Sequence, residues 1–399
     1  MSTTVTGRSG LVEKVRAAGA TLAAADAESC AQGRLTDEAL AALESTGIFR
    51  ALQPARWGGG EVGLDEYAEA IIEIGRHSAS AGWVASVVGV HPWQIALFDE
   101  QAQEEIWGAD PARRVASSYT PTGTIEKVEG GFQVSGRWSF SSGSGVADGV
   151  ILGGIAGTRE INGTEYPDFV SVILDADQYR IEQAWNVAGL GGTGSNDIVV
   201  EGTFVPEHRA QSHLFYTHGL GTPLPGQAKN DGALYRTPWA VVFNLIIAAG
   251  AVGAALGFYD QWVAETRTRR TNYGVMLREE HLVQNHLAEA AWKIDAAILK
   301  IKRTGAELME YAERGELPTP EQRAFWRWDV AKAANVAVDA VQSLMRVSSG
   351  RSAFIDHPLQ SKFQDVMAAS SHAFLFDDVL AKAWGGRHLG AEKLEAVHL

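Results

Sequence analysis

The chain has 399 residues, of which 46% are hydrophobic and 21% are charged. This composition excludes a disordered or fibrous protein, and the length is enough for two or three domains with a substantial core. Lysine and arginine together number 34 against 48 aspartate and glutamate residues, a net charge of -14, so we expect no nucleic-acid partner because a phosphate backbone would be repelled.

The first predicted domain, residues 1–112, is helical. Apolar residues recur three and four positions apart in it, as at Leu40, Leu43 and Ile48, which is the spacing of one buried helix face. Thr36 followed by Asp37 is typical of a helix start, and the glycine run at 58–60 interrupts the helical pattern. The first ten residues are polar, so we expect no secretory signal.

The pattern changes to β structure over residues 113–211. A glycine pair at 130–131 is a turn signal, and apolar and polar residues alternate from Phe132 to Phe140, which predicts a β-hairpin. Short β-branched runs at 150–154, 169–174 and 197–205 extend this prediction to an antiparallel β domain. Residues 212–238 show no period, which indicates a linker or a loop over a site.

The last predicted domain, residues 239–399, is helical again and resembles a four-helix bundle. Residues 239–259 are long and apolar enough to cross a bilayer. Asn244 interrupts them and no polybasic flank adjoins them, so we predict a fully buried helix and no membrane span. The predicted fold class is therefore α+β, in the order helical, β, helical.

Several familiar catalytic signatures are missing or lie in the wrong context. Residues 189–194 match G-x-G-x-x-G, but a strand pattern follows them, whereas a dinucleotide-binding loop must open a helix. His281 and His286 are five positions apart, which does not match the zinc-protease motif, and we predict no metal site. The single cysteine, Cys30, excludes an intramolecular disulfide and favours a reducing cytoplasm.

A few polar residues stand in apolar or glycine-rich surroundings and are the candidate functional residues. His91 lies on an otherwise apolar helix, Ser141 and Ser142 end a predicted strand, and His372 lies in an apolar segment predicted to be a C-terminal helix. Each has an ordinary structural explanation when taken alone, as a core histidine bonded to a carbonyl or as a turn-forming serine.

Together these residues carry a family resemblance. The α–β–α order, with the turn at 192–196 and the strand after it, is similar to the acyl-CoA dehydrogenase fold. A closer resemblance is to the oxygenase components of two-component flavin-dependent monooxygenases, of the type that act on 4-hydroxyphenylacetate or on the steroid-derived hydroxy-seconandrostatriene-dione. The matching segments are residues 57–59, 82–84, 88–93, 96–99, 117–119 and 138–143.

The resemblance implies an aromatic hydroxylase. A separate NAD(P)H-dependent reductase would supply reduced flavin, FADH2 or FMNH2, which reacts with O₂ to a C4a-hydroperoxide that hydroxylates a phenolic, indole-type or polycyclic ring. Gly191 stands where the family usually has arginine, and residues 374–376 are strongly apolar, so we expect a flat, largely apolar substrate. The resemblance also implies a cytoplasmic homo-oligomer, most simply a homotetramer.

The resemblance assigns roles to single residues as well. Ser142, with Ser141 beside it, matches the serine near flavin N5, His91 matches a substrate-contacting histidine, and His372 matches a base that would ionise the substrate. The other implied flavin contacts are Ser117, Tyr119, Trp138 and Arg270, the last reaching the pyrophosphate in a neighbouring subunit, and the implied pocket walls are Trp83, Trp93 and Phe374.

Three other functions stay open at this stage. An acyl-CoA dehydrogenase of the same fold needs a carboxylate base near N5, where this chain has Ser371, His372 and Ala373. An N-oxygenase acting on an amine or an amino sugar is the second alternative. A non-enzymatic flavin-binding module is the third, and it leaves the set of His91, Ser142 and His372 without a purpose.

Overall fold

The computed structural model describes residues 10–161, 163–217 and 223–393. The prediction that no secretory signal is present concerns residues 1–9 almost entirely, and these lie outside the described residues. The predicted helix start at Thr36 is confirmed, since its side chain accepts a hydrogen bond from the Ala39 N–H at 3.1 Å. The N-terminal helices are α1 (Leu11–Gln32), α2 (Asp37–Thr46), α3 (Leu64–His77), α4 (Ala79–Gly89), α5 (His91–Ile95) and α6 (Glu100–Trp107).

The middle of the chain forms two sheets, ordered β1-β4-β5-β8 and β2-β3-β7-β6 in the described residues. The predicted hairpin is present as β2 and β3, with Val128 opposite Gly131. One pairing differs from the prediction of an antiparallel domain, because β1 runs parallel to β4. The strands are β1 (Val115–Ser118), β2 (Thr124–Val128), β3 (Gly131–Ser141), β4 (Gly149–Ile161), β5 (Thr164–Asp175), β6 (Arg180–Glu182), β7 (Asn196–Pro206) and β8 (Ala210–Ser212).

The segment 212–238 carries little regular structure where it is described. Residues 218–222 of it lie outside the described residues, and the remainder holds a short helix, α7 (Leu214–Thr217), and two 3-10 turns. The boundary predicted at 211 cuts strand β8 one residue before its end.

The C-terminal helices are α8 (Trp239–Thr266), α9 (His281–Glu313), α10 (Pro320–Arg346), α11 (Pro358–Ser370) and α12 (Asp377–His388). Helix α8 packs against α3, α4, α9, α10 and α11. Of the described helices, it alone is long and apolar enough to cross a membrane, and 94% of its most apolar window is buried inside the protein. It is therefore the central core helix, and the α+β fold class is confirmed.

Two glycines explain how closely α8 approaches the N-terminal helices. A Cβ added to Gly253 would lie 3.0 Å from the Gly75 Cα on α3, and a Cβ on Gly75 would meet Gly253 at the same distance. Since neither residue has a side chain, the two backbones cross in direct contact. This crossing presses α3 and α4 onto the central helix and so places the residues of α4 beside the C-terminal helices.

Candidate active site

Ser142, Trp83 and His372 meet in one cleft, although they come from three distant parts of the chain. Ser142 directly follows strand β3, and its Oγ accepts a hydrogen bond from Trp83 Nε1 on α4 at 3.2 Å. The Trp83 ring stands edge-on to the His372 imidazole with ring centroids 5.8 Å apart. We call the space between these three residues the cleft.

A row of hydroxyl groups backs the cleft. Ser142 Oγ lies 2.7 Å from Ser195 Oγ, which lies 2.7 Å from Thr193 Oγ1. The Thr193 hydroxyl donates to the Leu190 carbonyl oxygen at 2.9 Å. The Leu190 N–H in turn donates to Asp365 at 2.6 Å, and burial raises the pKa of Asp365 to about 6. The sequence shows this turn as a family motif, but it does not show that its hydroxyl groups bond to one another.

One hydrogen bond fixes which ring nitrogen of His372 carries the hydrogen. Helix α11 ends at Ser370, so His372 does not lie in a helix as predicted but caps the short turn at 373–375. Its Nδ1 accepts a hydrogen bond from the Phe374 N–H at 3.2 Å. The neutral imidazole therefore carries its hydrogen on Nε2. Burial lowers the pKa of His372 to about 4, so the ring is neutral near pH 7.

His91 shows the opposite pattern. Its ring is completely buried, and Nδ1 donates to the Val115 carbonyl oxygen at 2.5 Å, which leaves Nε2 as an acceptor. Nε2 is buried and has no hydrogen-bond partner. Burial lowers the pKa of His91 to about 4, against a smaller opposing effect of the Val115 bond. His91 thus presents a lone pair and not a proton.

Two further buried polar side chains lie near Tyr119. Tyr119 donates to Gln94 Oε1 at 2.5 Å, and Gln94 lies on α5 three residues after His91, on the same helix face. Gln94 Nε2 and Tyr216 Oη are both buried, and the Gln94 side chain opposes the rise in the Tyr216 pKa that burial causes. A buried polar group without a partner costs about 1–3 kcal/mol, so the unpartnered His91 Nε2 on the same helix indicates a place for a ligand. The sequence shows Gln94 only as a polar residue among apolar ones, and it was missed.

Aromatic rings connect His91 to the cleft. Trp239 and Phe243, at the start of α8, stack with ring centroids 4.3 Å apart, and Tyr119 stands edge-on to both at 5.5 and 5.6 Å. Phe374 closes the row, 6.1 Å from Trp239 and 5.6 Å from His372. We call Tyr119, Trp239, Phe243 and Phe374 the aromatic cage; its walls suit a flat apolar ring.

Trp239 and Tyr216 also line a pocket. Its volume is about 190 Å³, and most of its lining belongs to the segment predicted to be a linker or a loop over a site. Lining residues outside that segment include Leu97, Leu317 and Arg323. Trp239 is therefore shared by this pocket and the aromatic cage, and its ring stacks on Tyr216 with centroids 5.9 Å apart.

Three predicted site residues lie elsewhere. Trp138 is buried between the two sheets and donates to the Gly153 carbonyl oxygen at 2.8 Å, so its ring faces the core of the sheets. The Trp93 indole N–H donates to the Leu234 carbonyl oxygen at 2.9 Å, and its ring contacts Phe243. Trp93 therefore supports the cage from outside. Arg270 lies on an exposed turn between α8 and α9.

The other predicted cofactor contacts lie near the cleft. Ser141, next to Ser142, is completely buried, and its Oγ has no hydrogen-bond partner. Ser117 lies on β1, two residues before Tyr119. Burial raises the pKa of Tyr119, and the Ser117 hydroxyl opposes this effect.

Comparison with known proteins gives consistent relatives. Residues 245–376 match the family described as the acyl-CoA dehydrogenase C-terminal domain. The chain is 36% identical over 344 residues to the flavin-dependent monooxygenase oxygenase subunit HsaA of Rhodococcus jostii, covering 85% of this chain and 88% of the relative. The crystal structure of 3-HSA hydroxylase from Rhodococcus sp. RHA1 is 33% identical, with a TM-score of 0.89 and 97% of each chain covered. XiaF from Streptomyces sp., solved with FADH2 and glycerol, is 25% identical with a TM-score of 0.88, covering 98% of this chain and 97% of XiaF.

Proposed function

Since the chain belongs to the oxygenase components of flavin-dependent monooxygenases, we propose that the cleft and the aromatic cage are the site in which it hydroxylates its aromatic substrate. The predicted use of reduced flavin and O₂, and of a separate reductase, is confirmed at the level of the family. The relatives support the hydroxylase prediction over the acyl-CoA dehydrogenase alternative.

The observation that carries the proposed site is the buried, unpartnered Nε2 of His91 beside the aromatic cage. A phenol placed in the cage donates its O–H to this nitrogen. As the proton moves toward His91, electron density moves onto the ring carbon that must attack an electrophilic oxygen. Gln94 Nε2, on the same helix face, donates to the phenolic oxygen. An indole N–H satisfies His91 but cannot accept from Gln94, so the pair favours a flat apolar phenol.

The histidine roles differ from those implied by the resemblance. His372 was predicted to be the base, but its Nδ1 is occupied by the Phe374 N–H and its Nε2 carries the hydrogen. In the neutral state it is therefore a donor toward the cleft. His91 has the free lone pair that a base needs, and we assign the base to His91 and the donor to His372.

The residues at the cleft fit a reduced flavin. Ser141 Oγ is a buried polar atom without a partner, and Ser142 lies next to it at the end of strand β3. Bound flavin supplies the activated oxygen, while the protein holds the ring, directs protons and excludes water. Ser142 would form a hydrogen bond with flavin N5, and the Trp83 indole N–H would keep the Ser142 hydroxyl in place.

An oligomer completes the site in this proposal. Arg270 is exposed, so its guanidinium can reach a flavin pyrophosphate in a neighbouring subunit. In the single chain its Nη1 donates to the Gly274 carbonyl oxygen at 2.7 Å. Trp292 and Leu299, seven residues apart on α9, are 70% and 60% exposed, and such an apolar strip is typical of a protein interface. We propose a cytoplasmic homotetramer.

A single-turnover experiment tests the function. Pre-reduced FAD or FMN is bound anaerobically, a phenol or an indole is added, and oxygenated buffer starts the reaction. We expect a hydroxylated product from flat phenols such as 2-naphthol, and mainly hydrogen peroxide with indole. Flavin oxidation without product from any phenol or indole, together with bleaching of oxidised flavin by an acyl-CoA thioester, would restore the dehydrogenase alternative.

A further inference from the structure

The pocket lined by Trp239 and Tyr216, which we call the side pocket, carries charge of only one sign. Most of the described residues that line it are apolar or aromatic, Leu97 and Leu317 among them. The charged side chains in this described lining are those of Arg236 and Arg323, although the whole chain has a net charge of -14. An apolar space edged by guanidinium groups suits an apolar ligand that ends in an anion.

Carboxylates that lie close in the chain to this lining have other partners. Glu316, directly before Leu317, pairs with Arg314 at 3.0 Å. Glu321, two residues before Arg323, contacts His388 at 2.8 Å. Asp329, on the same helix α10 as Arg323, pairs with Lys300 at 3.0 Å and with Arg303. The positive charge at the side pocket is therefore open to an anionic ligand.

The two arginines of the side pocket differ in burial. Arg236 is exposed, and it donates to the Ala312 and Asp231 carbonyl oxygens at 3.2 and 2.7 Å. Arg323, in the first turn of α10, is only 5% exposed. Burial and the charge of nearby Arg387 lower the pKa of Arg323. Both effects destabilise its charged form, and an anion bound in the pocket would offset them.

The size of the side pocket and its shared wall connect it to the aromatic cage. Its volume of about 190 Å³ is below the range of about 300–1,000 Å³ that is typical of a pocket for a whole drug-sized ligand, so it suits one part of a larger molecule. Trp239 lines the side pocket and also stacks on Phe243 inside the cage at 4.3 Å. A ring in the cage and a group in the side pocket would therefore contact the same tryptophan.

We infer that the side pocket holds an apolar arm of the substrate that ends in a carboxylate, and that Arg323 binds this carboxylate while the phenol ring lies in the aromatic cage. The inference rests on the proposed function, which places the ring in the cage. A guanidinium can bind a carboxylate through two parallel hydrogen bonds, each about twice as strong as a neutral one. Arg236 adds a second positive charge that attracts the acid.

Anaerobic equilibrium binding, with reduced FAD or FMN present, tests the inference without turnover. The two ligands are 6-(4-hydroxyphenyl)hexanoate and the matching amide, which have the same ring and arm but differ in charge. For the wild type we expect the acid to bind at least about tenfold more tightly than the amide, because a hydrogen bond between charged groups is stronger by about that factor. Isothermal titration calorimetry measures both dissociation constants.

Arg323 and a second arginine of the same helix offer matched variants. Arg323→Met keeps an unbranched apolar side chain but removes the charge, and it should lower the preference for the acid about tenfold. Arg323→Lys keeps the charge and should keep part of the preference. Arg346→Met, at the exposed end of α10, is the control and should keep all of it. If Arg323→Met does not fold, Arg236→Met at the exposed edge should lower the preference by about twofold to fivefold.

The outcomes separate the inference from the proposed function. Equal binding of acid and amide by the wild type, an unchanged preference in folded Arg323→Met or Arg236→Met, or an equal loss in Arg323→Lys or Arg346→Met would overturn the inference. Single turnovers with 2-naphthol, which has no arm, test the proposed function separately. If 2-naphthol is hydroxylated while the acid has no advantage, only the inference fails, whereas absence of product from every phenol would overturn the proposed function.

Discussion

The indole N–H of Trp83 donates to Ser142 Oγ at 3.2 Å, and this bond joins a helix of the N-terminal part to the end of strand β3. The same indole ring stands against His372, from the C-terminal part. Trp83 therefore links the proposed flavin-facing hydroxyl to the proposed proton donor, and several measurable consequences depend on residues around it.

Trp83→Phe should uncouple flavin oxidation from hydroxylation. The change keeps an aromatic ring against His372 but removes the donor to Ser142, a loss of about 1 kcal/mol that corresponds to roughly fivefold. We expect roughly fivefold more hydrogen peroxide per product, measured by peroxide and product assays in single turnovers. Trp107→Phe is the control, because Trp107 Nε1 is buried without a partner; an equal effect there would show that the hydrogen bond is not the cause.

The two histidine assignments predict different responses to pH. His91→Gln should lower product formation from a phenol by about 100-fold or more, since a positioned base contributes at least that much. Raising the pH toward the phenol pKa of about 10 should restore product, because solution ionisation replaces the base. His372→Gln should lower the yield without this rescue.

The exposed His388 supplies the control for these variants, and His388→Gln should behave as the wild type. The measurement is product yield per flavin across the pH range. Rescue at high pH in His372→Gln and not in His91→Gln would reverse the two roles.

His91 should also make stability depend on pH. Its pKa is about 4 in the folded protein and about 6.5 in the unfolded chain, so between these values the unfolded chain binds more protons. Neutral His91 therefore adds its full contribution to the free energy of unfolding above about pH 6.5. This contribution is lost as the pH falls toward 4. Relative to His91→Gln, the wild type should lose on the order of 3 kcal/mol between pH 7 and pH 4. Denaturant titrations at both pH values measure this, and parallel curves would contradict it.

Arg270→Ala should weaken flavin binding without weakening the fold. Arg270 is exposed, so its loss should leave the unfolding temperature unchanged, whereas loss of a guanidinium–phosphate pair should lower flavin affinity by about tenfold or more. Arg278→Ala, an exposed arginine shortly after it, is the control. Titration with reduced FAD and sizing of the oligomer check this, and a monomer with full affinity would exclude a shared site.

Asn244→Leu should destabilise the protein although Asn244 lies in an apolar helix. Asn244 Nδ2 donates to the Phe374 carbonyl oxygen, and Oδ1 accepts from Arg327 Nε at 2.6 Å. Removing both bonds from a completely buried position should cost about 3 kcal/mol. Asn335→Leu, which removes one half-buried bond to the Leu375 carbonyl, should cost about 1 kcal/mol. Equal unfolding free energies for the two variants would contradict this account.

Sequence patterns predicted the elements well where the periodicity is strong. The cap at Thr36, the β2–β3 hairpin and the buried helix α8 follow from local spacing and composition, because a helix face or a pleated strand leaves a repeat along the chain. Trp138 shows where such patterns fail. An alternating strand does not reveal which of its two faces meets the second sheet, and only the packed sandwich places the Trp138 ring inside.

By itself, the sequence determined the fold class, the family and the candidate residues His91, Ser142 and His372, because these depend on local spacing and on motifs in chain order. Only the tertiary structure decided what each residue can do. The carbonyl of Val115 and the N–H of Phe374 set opposite hydrogen positions on the two imidazoles. A side chain's proton goes where its neighbours accept or donate, and those neighbours are brought together only by folding.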